Sequence, residues 1–318
     1  MRLIDADAAA ADMDPLALVE ALRAAHREGG MGVVERLILQ APGSDNAALT
    51  WAAWEGTRGV AVKTATIFPG NSRSRSRPNI HSVAVLFDAA CGAPLAAIHG
   101  ERFTRMKTAA DSALASALLA AANAQTLAVL GAGGQAATHI RFQRAVRPSI
   151  RRVLIWNRTS AAGERLAAAL REEGADAEAV GDPETAVRGA VIVTCLTASR
   201  DPVLRGRWLS PGVHVDLVGG FTREMRESDD DVVRGGRLFA DTLRFTVTEC
   251  GDFCIPIERG VIPREKVEGD LFDLCSGRIA GRREPDDVTV FKNGGGGHLD
   301  LIVARALYDL CGVEDSAS

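Results

Sequence analysis

Lysine is scarce in this sequence: there are four, and three of them stand where a cation could do chemistry. Lys63 ends the apolar run Gly59-Val60-Ala61-Val62. Lys107 lies in Thr104-Arg105-Met106-Lys107-Thr108-Ala109-Ala110, at the head of a long alanine-rich stretch. Lys292 lies in Thr289-Val290-Phe291-Lys292-Asn293-Gly294-Gly295-Gly296-Gly297-His298-Leu299-Asp300. A cation at a helix N-terminus adds to the positive end of the helix dipole, and together they favour an anion such as a carboxylate. The three segments are expected to meet at a cleft.

A second chemistry is written in Gly131-x-Gly133-x-x-Ala136. Alone the triplet is a weak signal. Here it follows the strand-like run 126–130 and opens a helix reaching about residue 146, the context of a dinucleotide site. The first glycine permits a tight turn, the second lets the backbone approach a pyrophosphate, and the small third residue lets the helix pack on the strand. Gly134 and Gln135 complete the loop, and the free N–H groups of the helix start receive the phosphates. An NAD site places Asp or Glu at the end of the second strand. This sequence has Trp156-Asn157-Arg158-Thr159 there. Arg158 can pair with a 2′-phosphate and stack on adenine, and Asn157, Thr159 or Ser160 can add hydrogen bonds. The expected cofactor is NADPH, with NADH weaker.

These residues need elements to carry them. Asp14-Pro15 opens a helix over 16–27 that Gly29-Gly30 ends. Strand-like runs follow at 33–34, 36–39, 48–54, 59–67, 83–87 and 95–99, separated by Pro42-Gly43, Pro69-Gly70-Asn71 and Cys91-Gly92. They predict a mixed or antiparallel sheet, with Trp51 and Trp54 in its core and residues 71–77 as a charged loop. A helix over 104–122 comes next. Strands at 126–130, 152–156, 191–195, 213–218 and 237–240 then alternate with helical material such as 160–173, which indicates a parallel sheet. The tail 297–311 is helical and is expected to pack back on the first domain. The fold class is α/β: a Rossmann-type doubly wound parallel sheet plus a smaller mixed α/β domain.

With 318 residues and 33.6 kDa the chain suits about two domains. Its 47% hydrophobic and 25% charged residues are ordinary for a globular protein and exclude global disorder. No uncharged apolar run approaches the roughly 18 residues that span a bilayer. The acidic start Asp5-Ala6-Asp7 does not read as a secretory signal. A net charge of −4 argues against nucleic acid as a partner. The six cysteines are scattered, form no zinc pattern, and are read as reduced cytoplasmic thiols. No metal is expected.

Taken together, the Val-Lys strand end at Lys63, Asn79, Gly92-x-Pro94-Leu95-Ala96, the Thr-x-x-(Arg/Lys)-Thr-Ala-Ala helix start, the glycine loop, Val218-Gly219-Gly220, Glu249-x-Gly251-Asp252 and the 289–300 ending resemble the ornithine cyclodeaminase/μ-crystallin family. The likeness runs in order over nearly the whole chain. It implies a substrate and dimerisation domain from residues 1–118, completed by 294–318, and a Rossmann domain over 119–293. It implies a homodimer acting on a small molecule, with substrate contacts from Lys63, Lys107, Asn79 and Gly295, and Lys63 and Asp300 catalytic. It also implies cofactor contacts from Thr108, Gly131, Gly133, Gly134, Gln135, Ala136, Asn157, Arg158, Thr159, Thr197, Val218, Gly219 and Lys292. His81, His298 and Asp88 are weaker site candidates, and Asp216 is read as structural or near the cofactor.

Two positions depart from the family pattern. Lys107 replaces the commoner Arg, keeping charge but losing bidentate geometry. Phe221 stands where cyclodeaminases carry an aspartate base, with Glu224 three residues on. We read Phe221 as a buried apolar wall suited to a small ring. The reading this favours is NADPH-dependent reduction of Δ1-pyrroline-2-carboxylate or Δ1-piperideine-2-carboxylate to proline or pipecolate. The alternatives are ornithine cyclodeamination and a non-enzymatic NADPH-dependent binding protein of the crystallin type.

Overall fold

The computed structural model describes residues 1–28, 30–71 and 77–312. The chain divides into two compact units, one of Met1–Lys107 joined by the segment from Gly296, the other of Thr108–Gly295. Residues 72–76 of the charged loop lie outside the described residues.

The first unit opens with β1 (Arg2–Asp5), α1 (Ala6–Asp12) and α2 (Pro15–Glu28). The sequence suggests nothing before residue 14. The four-residue β1 is held by parallel pairing with β6 rather than by a pattern of its own. A meander follows: β2 (Val33–Gln40), β3 (Ala47–Glu55), β4 (Gly59–Ile67), β5 (Ile80–Phe87) and β6 (Pro94–His99). The six strands lie in the order β1-β6-β5-β4-β3-β2. The helix Gly297–Gly312 covers β3, β4 and β5 and also packs on α2.

Alternation along β4 decides where Lys63 points. Gly59, Ala61 and Lys63 are buried while their neighbours are less so, so Lys63 shares the covered face with Ala61. Trp51 and Ala84 flank Lys63 in register, and both are buried. Gly297 lets the helix start sit close to this face, because a Cβ there would lie 3.1 Å from that of Trp51. The same period of two corrects the expectation for Trp54. Three residues from Trp51, it points to the opposite face and is 61% exposed.

Helix α3 (Glu101–Leu119) begins in the first unit and continues in the second. The division falls inside this helix, after Lys107, whereas the sequence places it near 118. From Thr108 onward the helix is tied to second-unit residues. Asn293 Nδ2 donates to the Thr108 carbonyl at 3.0 Å and to Ser112 Oγ at 3.1 Å, and Ser112 Oγ donates to Asp216 Oδ1 at 2.9 Å.

The second unit is built on eight parallel strands. They are β7 (Thr126–Leu130), β8 (Arg152–Trp156), β9 (Asp176–Ala179), β10 (Ile192–Cys195), β11 (His214–Leu217), β12 (Arg237–Ala240), β13 (Val267–Asp270) and β14 (Thr289–Lys292). Their order is β13-β12-β14-β11-β10-β7-β8-β9. Helices α4 (Ala136–Val146) and α5 (Ser160–Glu172) follow β7 and β8. Apolar clusters lie on both faces of the sheet, one around Leu127, Val129 and Ile155, the other around Leu130, Val215 and Phe253. Strand order reverses between β7 and β10. In an open α/β sheet, that switch point leaves a crevice outside the strand C-termini where ligands bind.

Candidate active site

In the first unit, Asp300 on the helix Gly297–Gly312 collects both N-terminal lysines. Lys63 Nζ donates to Asp300 Oδ1 at 2.8 Å, and Lys107 Nζ is 2.6 Å from the same oxygen. Lys63, Lys107 and Asp300 are 5%, 2% and 1% exposed, so the cluster is shielded from water. Two lysines around one carboxylate leave a positive excess when both are protonated, and in a buried site that excess is relieved by an entering anion or by loss of a proton. Burial, aided by Lys107 and opposed by Asp300, pushes the Lys63 pKa down to about 7. Lys63 Nζ also lies 5.9 Å from the centroid of the Phe103 ring. Among the described residues, none donates a hydrogen bond to Asp300 Oδ2.

The other first-unit candidates stand apart from this cluster or play no charged part in it. His298 packs edge-on to His26, with ring centroids 5.5 Å apart, and burial holds its pKa well below the usual value, so it is neutral. The β4–β5 ladder pairs Lys63 with Ala84 and Ile67 with Ile80. Asn79 precedes Ile80, so at about 3.3 Å per residue it lies more than about 13 Å along the strands from Lys63. His81 is exposed on the same stretch. Asp88 caps a turn, accepting from the N–H groups of Ala90 and Cys91 at 2.9 and 3.0 Å.

The second unit carries the dinucleotide features at its switch point. Gly131 has φ +115°, and a Cβ there would lie 2.7 Å from the Leu196 carbonyl oxygen, so only glycine fits. Its N–H donates to the Trp156 carbonyl at 2.8 Å. Gly133 and Gly134 are exposed, Gly133 has open space where a Cβ would stand, and Gln135 is half-buried. Ala136 is fully buried where α4 meets the sheet. Such a cradle, open on its ligand side and tight on its sheet side, suits a pyrophosphate.

Asn157 has a different part from the one expected of it. Its Oδ1 accepts from the Ala132 N–H at 3.0 Å and its Nδ2 donates to the Thr159 carbonyl at 2.9 Å. The side chain buckles the β7–α4 loop to the β8–α5 loop, and Arg158 and Thr159 beside it are both exposed. Lys292 is also corrected. It is fully buried, donates to the Leu217 carbonyl at 3.0 Å and lies 3.5 Å from Asp252 Oδ2, so it offers no surface to a cofactor. Burial opposes its charge, but Asp252 foremost outweighs this and raises its pKa.

Thr197, Val218 and Gly219 follow β10 and β11 at the same sheet edge, and Thr108 is nearly buried at the head of the second-unit part of α3. Gly294 and Gly295 donate backbone N–H groups to Asp241 Oδ2 at 3.0 and 2.9 Å. Asp241, and Glu227 which binds Thr197 and Gly219, were not singled out from sequence. No motif marks a carboxylate whose partners are backbone groups of distant loops. Phe221 is 46% exposed rather than the buried wall expected.

The sequence pattern of the ornithine cyclodeaminase/mu-crystallin family matches residues 45–313. The chain is 41% identical over 253 residues to the Delta(1)-pyrroline-2-carboxylate reductase of Paracoccus denitrificans (strain Pd 1222), covering 80% of each. Among solved structures, that of Thermococcus litoralis Delta(1)-pyrroline-2-carboxylate reductase in complex with NADH and L-proline matches 99% of this chain and 98% of that one. Its TM-score is 0.93 at 27% identity. The iminosuccinate reductase of Paracoccus denitrificans in complex with NAD+ matches 99% of this chain and 97% of that one, with a TM-score of 0.89 at 27% identity.

Proposed function

The chain belongs to the ornithine cyclodeaminase/mu-crystallin family, and from that membership we propose that it is an oxidoreductase of cyclic imino acids. It reduces Δ1-pyrroline-2-carboxylate or Δ1-piperideine-2-carboxylate to L-proline or L-pipecolate. The observation that carries the reading is the buried Lys63–Asp300–Lys107 cluster with its excess positive charge. The first unit is assigned to the substrate and to dimerisation, the second to the cofactor.

Reducing a C=N bond adds a hydride to carbon and a proton to nitrogen. A bound nicotinamide supplies the hydride. The chain holds the ring and handles the proton. Lys63 and Lys107 take the substrate carboxylate, which fixes the adjacent imine carbon, since holding one end of a small rigid ring orients the rest. Asp300, bonded to both lysines, keeps the ammonium groups in place. Burial holds Lys63 near 7 in the free site, so it takes up a proton as the substrate carboxylate enters, and that recharged ammonium is the proton the chain offers to the ring nitrogen. The test is oxidation of NADPH with each imine. Steady turnover on at least one is expected, and none on either would overturn the reading.

The cofactor is proposed to be NADPH ahead of NADH. What supports this is Arg158, exposed beside the end of β8 where no acid stands to hold ribose hydroxyls. A charge-assisted contact to a 2′-phosphate contributes roughly 1.5–3 kcal/mol, or roughly ten- to hundredfold in affinity. Arg158→Ala is therefore expected to weaken NADPH by that factor and leave NADH unchanged. An NADPH-to-NADH ratio of dissociation constants that does not move would remove the assignment.

A homodimer through the first unit is part of the proposal. Leu37, Ile38 and Leu39 are 54%, 53% and 57% exposed on β2, the edge strand, and Trp54 lies exposed on β3 beside it. Exposed apolar edge strands are covered in stable proteins. Sedimentation is expected to give a mass of two chains for the wild type and one for Ile38→Lys; a monomeric wild type would end this part. No helix among the described residues is long and apolar enough to cross a membrane. A cytoplasmic site, where Cys91 and Cys275 stay reduced, completes the proposal.

A further inference from the structure

The cofactor site described so far gives no role to the fully buried carboxylate of Glu227. Glu227 lies in Arg226-Glu227-Ser228-Asp229 and has no exposed surface. Its Oε1 accepts from the Thr197 N–H at 2.6 Å and from Thr197 Oγ1 at 2.8 Å, and its Oε2 accepts from the Gly219 N–H at 2.6 Å. Thr197 leaves the end of β10 and Gly219 the end of β11, so the two oxygens of one side chain tie two strand ends together. The two backbones run so close that a Cβ on Gly219 would stand 1.8 Å from the Thr197 carbonyl oxygen.

Glu227 is itself held in place. Its N–H, the Ser228 N–H and Ser228 Oγ donate to Asp252 Oδ1 at 2.9, 2.9 and 3.0 Å, and Asp252 Oδ2 faces Lys292. Burial pushes the Glu227 pKa up to about 7, with Lys292 opposing. A carboxylate so disfavoured in its charged form stabilises the fold poorly, whereas three donors converging on it define geometry.

That geometry matters where it lies. In a doubly wound sheet the adenine half of a dinucleotide occupies the ends of the first two strands and the nicotinamide half crosses the switch point to the next ones. Here those are β7 and β8, then β10 and β11. We propose that Glu227 is a positioning residue that presets the nicotinamide side of the cofactor site by clasping Thr197 to Gly219. The proposal rests on the dinucleotide-binding reading of the second unit.

The experiment compares Glu227→Gln with the wild type for binding of NADPH and of adenosine 2′,5′-bisphosphate, which lacks the nicotinamide half. The amide keeps the shape but turns a donor toward N–H groups. NADPH is expected to weaken about tenfold or more, with the bisphosphate unchanged. Equal weakening of both would mark a purely structural residue and overturn the proposal, as would no change in either. If Glu227→Gln does not fold, Glu227→Asp decides: it keeps the carboxylate but is one methylene too short to reach both strand ends, so NADPH is expected to weaken with the bisphosphate unchanged, and equal weakening of both, or no change in either, overturns the proposal. A wild type that binds neither ligand would instead refute the dinucleotide reading itself.

Discussion

Lys63→Met is expected to lower kcat/KM for the cyclic imine by about 10²–10³ while NADPH affinity stays where it is. Truncating one partner of a buried, hydrogen-bonded charge pair costs roughly 3–4 kcal/mol, and each 1.4 kcal/mol is about a decade. Methionine keeps the length and apolar stem of the side chain, so the loss is that of the ammonium group. Stability separates a functional cation from a structural one. In the unfolded chain Lys63 holds its proton up to about 10.5, whereas in the fold it lets go near 7. The unfolded state binds more protons between those values, so stability rises with pH through that window, and at pH 7 the buried charge is a cost. Asp300 keeps Lys107 as a partner in Lys63→Met, so the melting temperature is expected to change little beside the loss of activity. A carboxylate entering the cluster recharges Lys63, so calorimetry of L-proline binding near pH 7–8, in two buffers of different ionisation enthalpy, should register proton uptake in the wild type only. Near-normal efficiency in Lys63→Met, or a loss that tracks a lowered melting temperature, would refute the clamp.

What the sequence makes legible here follows from whether a residue's reason is local. Gly131 needs a positive φ and has no room for a Cβ, and that need leaves a glycine in a strand–turn–helix context that can be read directly. Lys63 stands out by scarcity and by its place on an alternating strand, and alternation turns it to the covered face. Its partner Asp300 lies 237 residues away, and the resemblance, not the spacing, suggested it. Scarcity misled at Lys292, whose charge serves an internal network with Asp252 and the Leu217 carbonyl. Asn157 has the chemistry to meet a phosphate, but the turn takes up its amide first. Glu227 and Asp241 leave no mark in the sequence because most of their donors are backbone N–H groups, which every residue carries. Trp54 shows the same limit from the other side: its type suggests a core, and only strand register puts it outside.

Given ornithine and NAD+ or NADP+, the wild type is expected to release ammonia and proline more slowly than it reduces imines, by about 10²–10⁴. That factor is the usual contribution of a positioned general base. Cyclodeamination must oxidise the amine, expel ammonia, close the ring and reduce it again, and the resemblance places an aspartate after Val218-Gly219-Gly220 for those proton transfers. Phe221 holds that position and is substantially exposed, so it supplies neither base nor counter-charge for an ammonium group. The neighbouring acids do not replace it. Glu224 is exposed, and hydrogen bonds from its own backbone and from Thr222 hold its pKa below the usual range, which makes it a weak base. The Glu227 carboxylate accepts three hydrogen bonds from Thr197 and Gly219, and Asp252 is engaged with Glu227, Ser228 and Lys292. An imine arrives with its C=N bond formed and asks less of the site: a held carboxylate, a hydride and one proton. Phe221→Asp alone is expected to restore little, because a base needs distance and pKa in register as well as presence. The measurement is ammonia and proline formed from ornithine by the purified wild type, beside NADPH oxidation with the five- and six-membered imines. Sustained production of both at a rate comparable to imine reduction would overturn the reductase and make the chain a cyclodeaminase.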